Sequence, residues 1–200
     1  MVESGNPQVT CCELAWAACL VDGEGSVTIY KAAKNAYWGC VTVINTDAGL
    51  LGKYTGILTR LGVPFYLCTR GPRNGGNLSC TDVRVSRANA LLTFIDLLLP
   101  HLVAKRDRAQ LLREWVNEKL QEALARPGCD SRGRPRYTRR LNRRATEYDT
   151  DVYAVMKALQ RPGHPNEHTW ASNQFEKMCS DLRRKAESWQ KCPAAACDAV

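Results

Sequence analysis

The stretch Ala17-Ala18-Cys19-Leu20-Val21-Asp22-Gly23-Glu24-Gly25 decides the reading of this chain. Residues 14–21 are apolar throughout, and a helix apolar on every side is normally buried. Ala15, Ala17, Ala18 and Cys19 are small enough to let a second helix approach closely. Two carboxylates, Asp22 and Glu24, follow at the point where the helix ends, and Gly23 and Gly25 suit the tight turn they occupy. Carboxylates delivered to one spot by a buried helix are suited to hold a hard divalent cation.

The pattern downstream is ordered. Residues 26–33 alternate, with Val27 and Ile29 on one face and Thr28 and Tyr30 on the other. Residues 37–44 form a second β-branched and aromatic run after the turn candidate Lys34-Asn35, so the pair reads as a hairpin. Thr46 or Asp47 caps a helix carrying Leu51, Tyr54, Leu58 and Leu61, and Gly62 stops it. Residues 63–69 and 78–86 make a second strand pair around a Gly-, Pro- and Asn-rich turn. Ser86 caps a helix with Leu91, Leu92, Ile95, Leu98 and Leu99, ended by Pro100. A further helix over 107–125 stops at Pro127-Gly128. The expected fold class is α+β, in the order α-β-β-α-β-β-α.

The motif and this order together resemble the LAGLIDADG homing endonucleases, whose variants often read GEG in place of ADG. "VTVINTDAGLLGKYTGILTRLGV" is similar to the family's second strand and helix, and "LLPHLVAKRDRAQLL" to the segment bearing an active-site lysine. The likeness spans roughly residues 10–125. Ala17 stands where leucine is common in the motif, and Cys19 where glycine is common.

The resemblance implies a four-stranded antiparallel sheet that binds double-stranded DNA. With one motif and no second copy, it implies half an enzyme that pairs into a homodimer through Leu14, Ala15, Ala17, Ala18 and Val21. It implies Mg²⁺-dependent phosphodiester hydrolysis at a long pseudo-palindromic site, with Mn²⁺ or Ca²⁺ substituting in binding. Glu24 and the Gly23 carbonyl are the implied ligands; Asp22 caps the helix end or orients the turn, direct ligation being the alternative. Lys105 aligns with the active-site lysine, and Asn45 or Thr46 with a polar, water-positioning residue. Alternation assigns Ser26, Thr28, Tyr30, Asp82, Arg84 and Ser86 to the DNA-facing side, with Lys31, Lys34, Arg70, Arg73 and Asn74 at strand ends and turns. An RNA maturase, or a DNA-binding protein that does not cut, are the other readings; the presence of both Glu24 and Lys105 favours the nuclease.

Charge agrees with a nucleic-acid partner: 28 Lys+Arg stand against 20 Asp+Glu, for a net +8 and a pI near 9.1. Residues 126–144 hold eight of the arginines and one acid, Asp130. The expected layout is an endonuclease core over 8–126, an arginine-rich arm over 127–147, a helical extension over 148–192 and a flexible tail over 193–200. Ten scattered cysteines, with no Cys-x-x-Cys pair, read as reduced thiols rather than a zinc site. No apolar run reaches membrane-spanning length, and Glu3 and Asn6 do not suit a secretory leader, so the expected setting is intracellular, organellar or bacterial. No small-molecule cofactor is expected.

The arm meets phosphate in this reading. Neutralising Arg139, Arg140, Arg143 and Arg144 should weaken binding to all duplexes alike. It should also flatten the log–log salt dependence by about 0.9 for each phosphate that is no longer neutralised, measured by salt titration on specific and scrambled duplexes.

Overall fold

A computed structural model describes residues 8–32, 36–71, 79–125, 146–160 and 165–191. Lys34, Arg73, Asn74 and the arm arginines 139, 140, 143 and 144 lie outside them. The elements run α1 (Cys11–Glu24), β1 (Gly25–Ala32), β2 (Ala36–Asn45), α2 (Ala48–Arg60), β3 (Tyr66–Arg70), β4 (Cys80–Val85), α3 (Ala88–Leu98), α4 (Arg106–Ala125), α5 (Glu147–Leu159) and α6 (Pro165–Gln190). The expected α-β-β-α-β-β-α order is therefore present. The strands form one sheet in the order β1-β2-β4-β3, with β4 antiparallel to both β2 and β3.

Local chemistry explains most boundaries. α1 begins earlier than its apolar run, because Thr10 and Glu13 form a capping box in which each side chain takes the other's backbone N–H. Asp47, rather than Thr46, caps α2 by accepting from the Leu50 N–H at 2.9 Å. Gly62 follows that helix at a φ of 66°, a left-handed conformation glycine adopts without strain. The N-cap of α3 is Arg87 and not Ser86, with no side-chain hydrogen bond. β3 starts at Tyr66 rather than residue 63, because the Val63 N–H is turned back onto the Leu58 carbonyl. Pro165 opens α6, a position where its missing N–H costs nothing.

The chain packs as two compact units, 1–27 with 40–106 and 28–39 with 107–200. In the first, α1 lies against α2 and α3, and the core holds Ala17, Ala18, Val21, Val41, Val43, Tyr54, Ile57, Leu58, Val83, Val85, Phe94 and Ile95. Val83 and Val85 are buried as their alternation requires. In the second, α4 groups with α5 and α6, so packing divides the chain before α4 where composition placed a boundary after it. The last two residues of the expected arm, Thr146 and Glu147, already belong to the capped start of α5.

Buried charge holds the second unit together. Asp149 is 5% exposed and accepts from the Trp115 indole N–H (2.9 Å), the Thr146 N–H (2.9 Å) and the Lys119 ammonium (2.8 Å). Glu114, also buried, pairs with Arg183 of α6 at 2.9 Å. Burial works to raise the Asp149 pKa, but Lys119, Thr146 and Trp115 together hold it below the ordinary value. A depressed carboxyl pKa contributes stability that is present above the ordinary 3.8 and is lost as pH falls through the folded value. Asp149→Asn should cost about 2 kcal/mol at neutral pH, since it removes the buried charge that Trp115, Thr146 and Lys119 donate to. In urea titrations the gap to wild type should shrink as pH drops below 3.8.

Candidate functional site

The end of α1 is tied down by a reciprocal pair of contacts from the segment before α4. The Asp22 carboxylate accepts three backbone N–H groups: Val103 at 2.7 Å and Ala104 at 3.2 Å on Oδ2, and Lys105 at 2.9 Å on Oδ1. In return the Lys105 ammonium donates to the Val21 carbonyl at 2.9 Å and to the Asp22 carbonyl. A cation on the last carbonyls of a helix is favoured by the dipole and satisfies acceptors that the helix leaves open. The far end of α1 is anchored too, by Arg60 of α2 on Glu13, and that guanidinium first, then the Thr10 N–H, pulls the Glu13 pKa down to about 2.

This geometry bears on two expectations. Both Asp22 oxygens are engaged by N–H donors, which agrees with the expected role of orienting the turn and leaves less acceptor capacity for the alternative of direct ligation. Lys105, expected at the phosphate, is 8% exposed in the protomer, with its ammonium on the two carbonyls just before Gly23. Glu24 is exposed and has no hydrogen-bond or ion-pair partner among the described residues. The Gly23 carbonyl lies in the last turn, beyond the helix's own i+4 donors, and Gly23 is open on its side-chain face. Gly25 is different. Its N–H donates to the Val21 carbonyl, and a Cβ there would lie 2.7 Å from that same oxygen. Only glycine fits, for reasons of space and not of φ, which is −89°.

An exposed carboxylate with a neighbouring carbonyl at a helix C-terminus is a hard-oxygen donor set of the kind Mg²⁺ takes. One chain supplies too few donors to enclose a cation, and among the described residues no group of three or more His, Cys, Asp or Glu could do so. Asn45 and Thr46 lie at the β2–α2 junction. Asn45 Oδ1 already accepts from the Asp47 N–H at 2.9 Å, whereas Thr46 is exposed.

The small-residue helix face also needs correction. Ala17, Ala18 and Val21 are fully buried inside the protomer, where α1 packs on α2 and α3, and Leu14 is half-buried. The side left open carries Cys12, Ala15 and Cys19, spaced i, i+3 and i+7 along one stripe. Of the five residues expected at the dimer contact, only Ala15 lies on it.

On the sheet, Tyr30 and Lys31 are exposed, Ser26 and Ser86 are half-buried, and Tyr30 packs against the Trp38 ring at 5.6 Å. Thr28 is buried and its hydroxyl donates to the Ile29 carbonyl, so it is not placed to read a base. Asp82 is likewise buried, at 1% exposure, beneath Arg70 and Arg84. Strand register sets Arg84 opposite Thr42 and Tyr66, and Asp82 opposite Ile44 and Cys68. The Asp82 hydrogen bond and charge raise the Arg70 pKa further above its ordinary value. Tyr66 joins this face although the sequence pattern did not single it out; it is half exposed, and its hydroxyl accepts from Arg87 Nε at 3.3 Å. Its parity with Cys68 and Arg70 is the signal that places it there.

Among solved structures the fold is similar to the homing endonuclease I-CvuI in complex with its target, at 17% identity over 91% of this chain and 92% of that one, with a TM-score of 0.40. It is also similar to the group I intron-encoded homing endonuclease I-CeuI complexed with DNA, at 17% identity over 58% and 59% of the two chains and a TM-score of 0.45. A third is the LAGLIDADG homing endonuclease I-SmaMI bound to cleaved DNA, at 17% identity over 73% of this chain and 42% of that one, with a TM-score of 0.41. No family model matches the sequence, and no curated protein matches it.

Proposed function

We propose that this chain is a LAGLIDADG-type homing endonuclease that acts as a homodimer and cuts both strands of a long, near-palindromic DNA site. The observation that carries this is Glu24: a solvent-facing carboxylate, without a partner among the described residues, fixed at the end of α1 by the Asp22 and Lys105 contacts. The α-β-β-α-β-β-α order around it and the net charge of +8 support the same reading.

The roles divide by chemistry. Glu24 and the Gly23 carbonyl are the groups that would hold Mg²⁺, with the second copy of the turn completing the donor set across the two-fold axis. Mg²⁺ bound there supplies activated water and stabilises charge on the leaving oxygen. Asp22 and Lys105 hold the turn so that Glu24 need not reorganise when DNA arrives. The half-exposed Arg70 and Arg84, with Tyr30 and Lys31, would meet base edges and phosphates in the major groove, where each base pair carries a distinct pattern. Thr46, exposed beside α2, is the better of the two junction residues to order a water, since Asn45 is already engaged.

Two measurements test this. Glu24→Gln should abolish Mg²⁺-dependent cutting of a duplex selected from a randomised library while binding in Ca²⁺ stays within about twofold; cutting at the wild-type rate would remove Glu24 from the site. For assembly, Cys19→Trp on the open stripe should leave a folded monomer by sedimentation at micromolar concentration, because overpacking a close helix contact is costly. Ala18→Trp should instead lower the melting temperature, as its site is inside the protomer.

A further inference from the structure

Asp82 is the one acidic residue in the four described strands, in a sheet that otherwise carries Lys31, Arg70 and Arg84. A carboxylate on a face that meets phosphate opposes binding, so its presence calls for an offsetting gain. It sits at the centre of the β2-β4-β3 ladder, 1% exposed, with Arg70 of β3 and Arg84 of its own strand both on Oδ2, the latter at 3.5 Å. Both guanidinium groups remain partly open, with side chains 38% and 27% exposed. Oδ1 is buried with no hydrogen-bond partner among the described residues. A buried acceptor without a donor is costly, and the cost persists only where the surroundings over-determine the group.

We propose that Asp82 is a positioning residue for sequence reading, holding the guanidinium groups of Arg70 and Arg84 side by side as a paired reader of base edges; the proposal rests on the DNA-binding reading above. Arginine recognises guanine through a planar fork whose angle matters as much as its charge. A free arginine on a strand samples many rotamers and settles on phosphate. One whose inner edge is bonded to a fixed carboxylate presents its outer N–H groups in one direction. The unbonded Oδ1 lets one arginine shift onto it when the other engages DNA, so the pair can adjust without either charge losing its counter-ion. Asp82 thereby exchanges raw affinity for discrimination.

The test uses the full chain, a target duplex selected by the wild-type protein from a randomised library, and every single base-pair variant of that target. Asp82→Asn should lower discrimination about tenfold at the few base pairs under Arg70 and Arg84, leave other positions unchanged, and raise affinity for scrambled duplex several-fold, since it removes a negative charge from the face. Arg70→Lys and Arg84→Lys keep the charge but lose the fork, and each should relax the same positions. Combined with Asp82→Asn, either should add little further, because the three side chains act as one unit. Should Asp82→Asn not fold by thermal melting, the two lysine variants carry the test through the positions they relax. Wild-type discrimination in Asp82→Asn, or an equal loss of affinity for every duplex, overturns the proposal. So do lysine variants that relax different, unrelated positions. Failure of the wild-type protein itself to prefer any duplex is a separate outcome, and it overturns the DNA-binding reading together with this one.

Discussion

The exchange between Asp22 and Lys105 is the constraint on which the site depends. A carboxylate takes three N–H groups from the segment entering α4, and that segment returns an ammonium to the carbonyls at the end of α1. Each side satisfies groups that would otherwise be exposed at a helix end, so the two segments, more than eighty residues apart in sequence, stabilise one another. Glu24 is left outside this exchange. It is exposed, with no hydrogen-bond or ion-pair partner among the described residues, and it stands where the helix, the turn and the first strand meet.

The same logic recurs across the molecule: carboxylates organise donors at helix ends and between strands and helices. Asp47 and Asp149 cap helices, Asp149 and Glu114 bind cations across helices, and Asp82 gathers two arginines. In each case the acid has defined partners, which is what permits the burial of Asp82, Glu114 and Asp149. Glu24 departs from that pattern.

Much of this is legible in the sequence. Alternation in 26–30 and 82–85, the Asp47 cap and the Gly62 stop are local signals, and the element order follows from them. The role of Asp22 stays open at that level because the donors that engage it come from residues 103–105, which no local pattern links to it. The open face of α1 is misplaced because a helix with apolar residues on all sides has no period to show which side the core takes. Alternation puts Asp82 and Thr28 on one face but cannot show that neighbouring side chains cover them. Arginines 139, 140, 143 and 144 rest on composition alone.

Anchoring α1 at both ends has a consequence for how this protein can change. Glu13 is bound to Arg60 and Asp22 to the α4 approach, so the helix cannot turn about its axis between them. The azimuth of the Cys12, Ala15 and Cys19 stripe and the direction of Glu24 are then one variable and not two. A single inserted or deleted residue between the anchors would rotate one against the other by about 100°. Substitution on the stripe is an open evolutionary route, whereas length variation within α1 is closed.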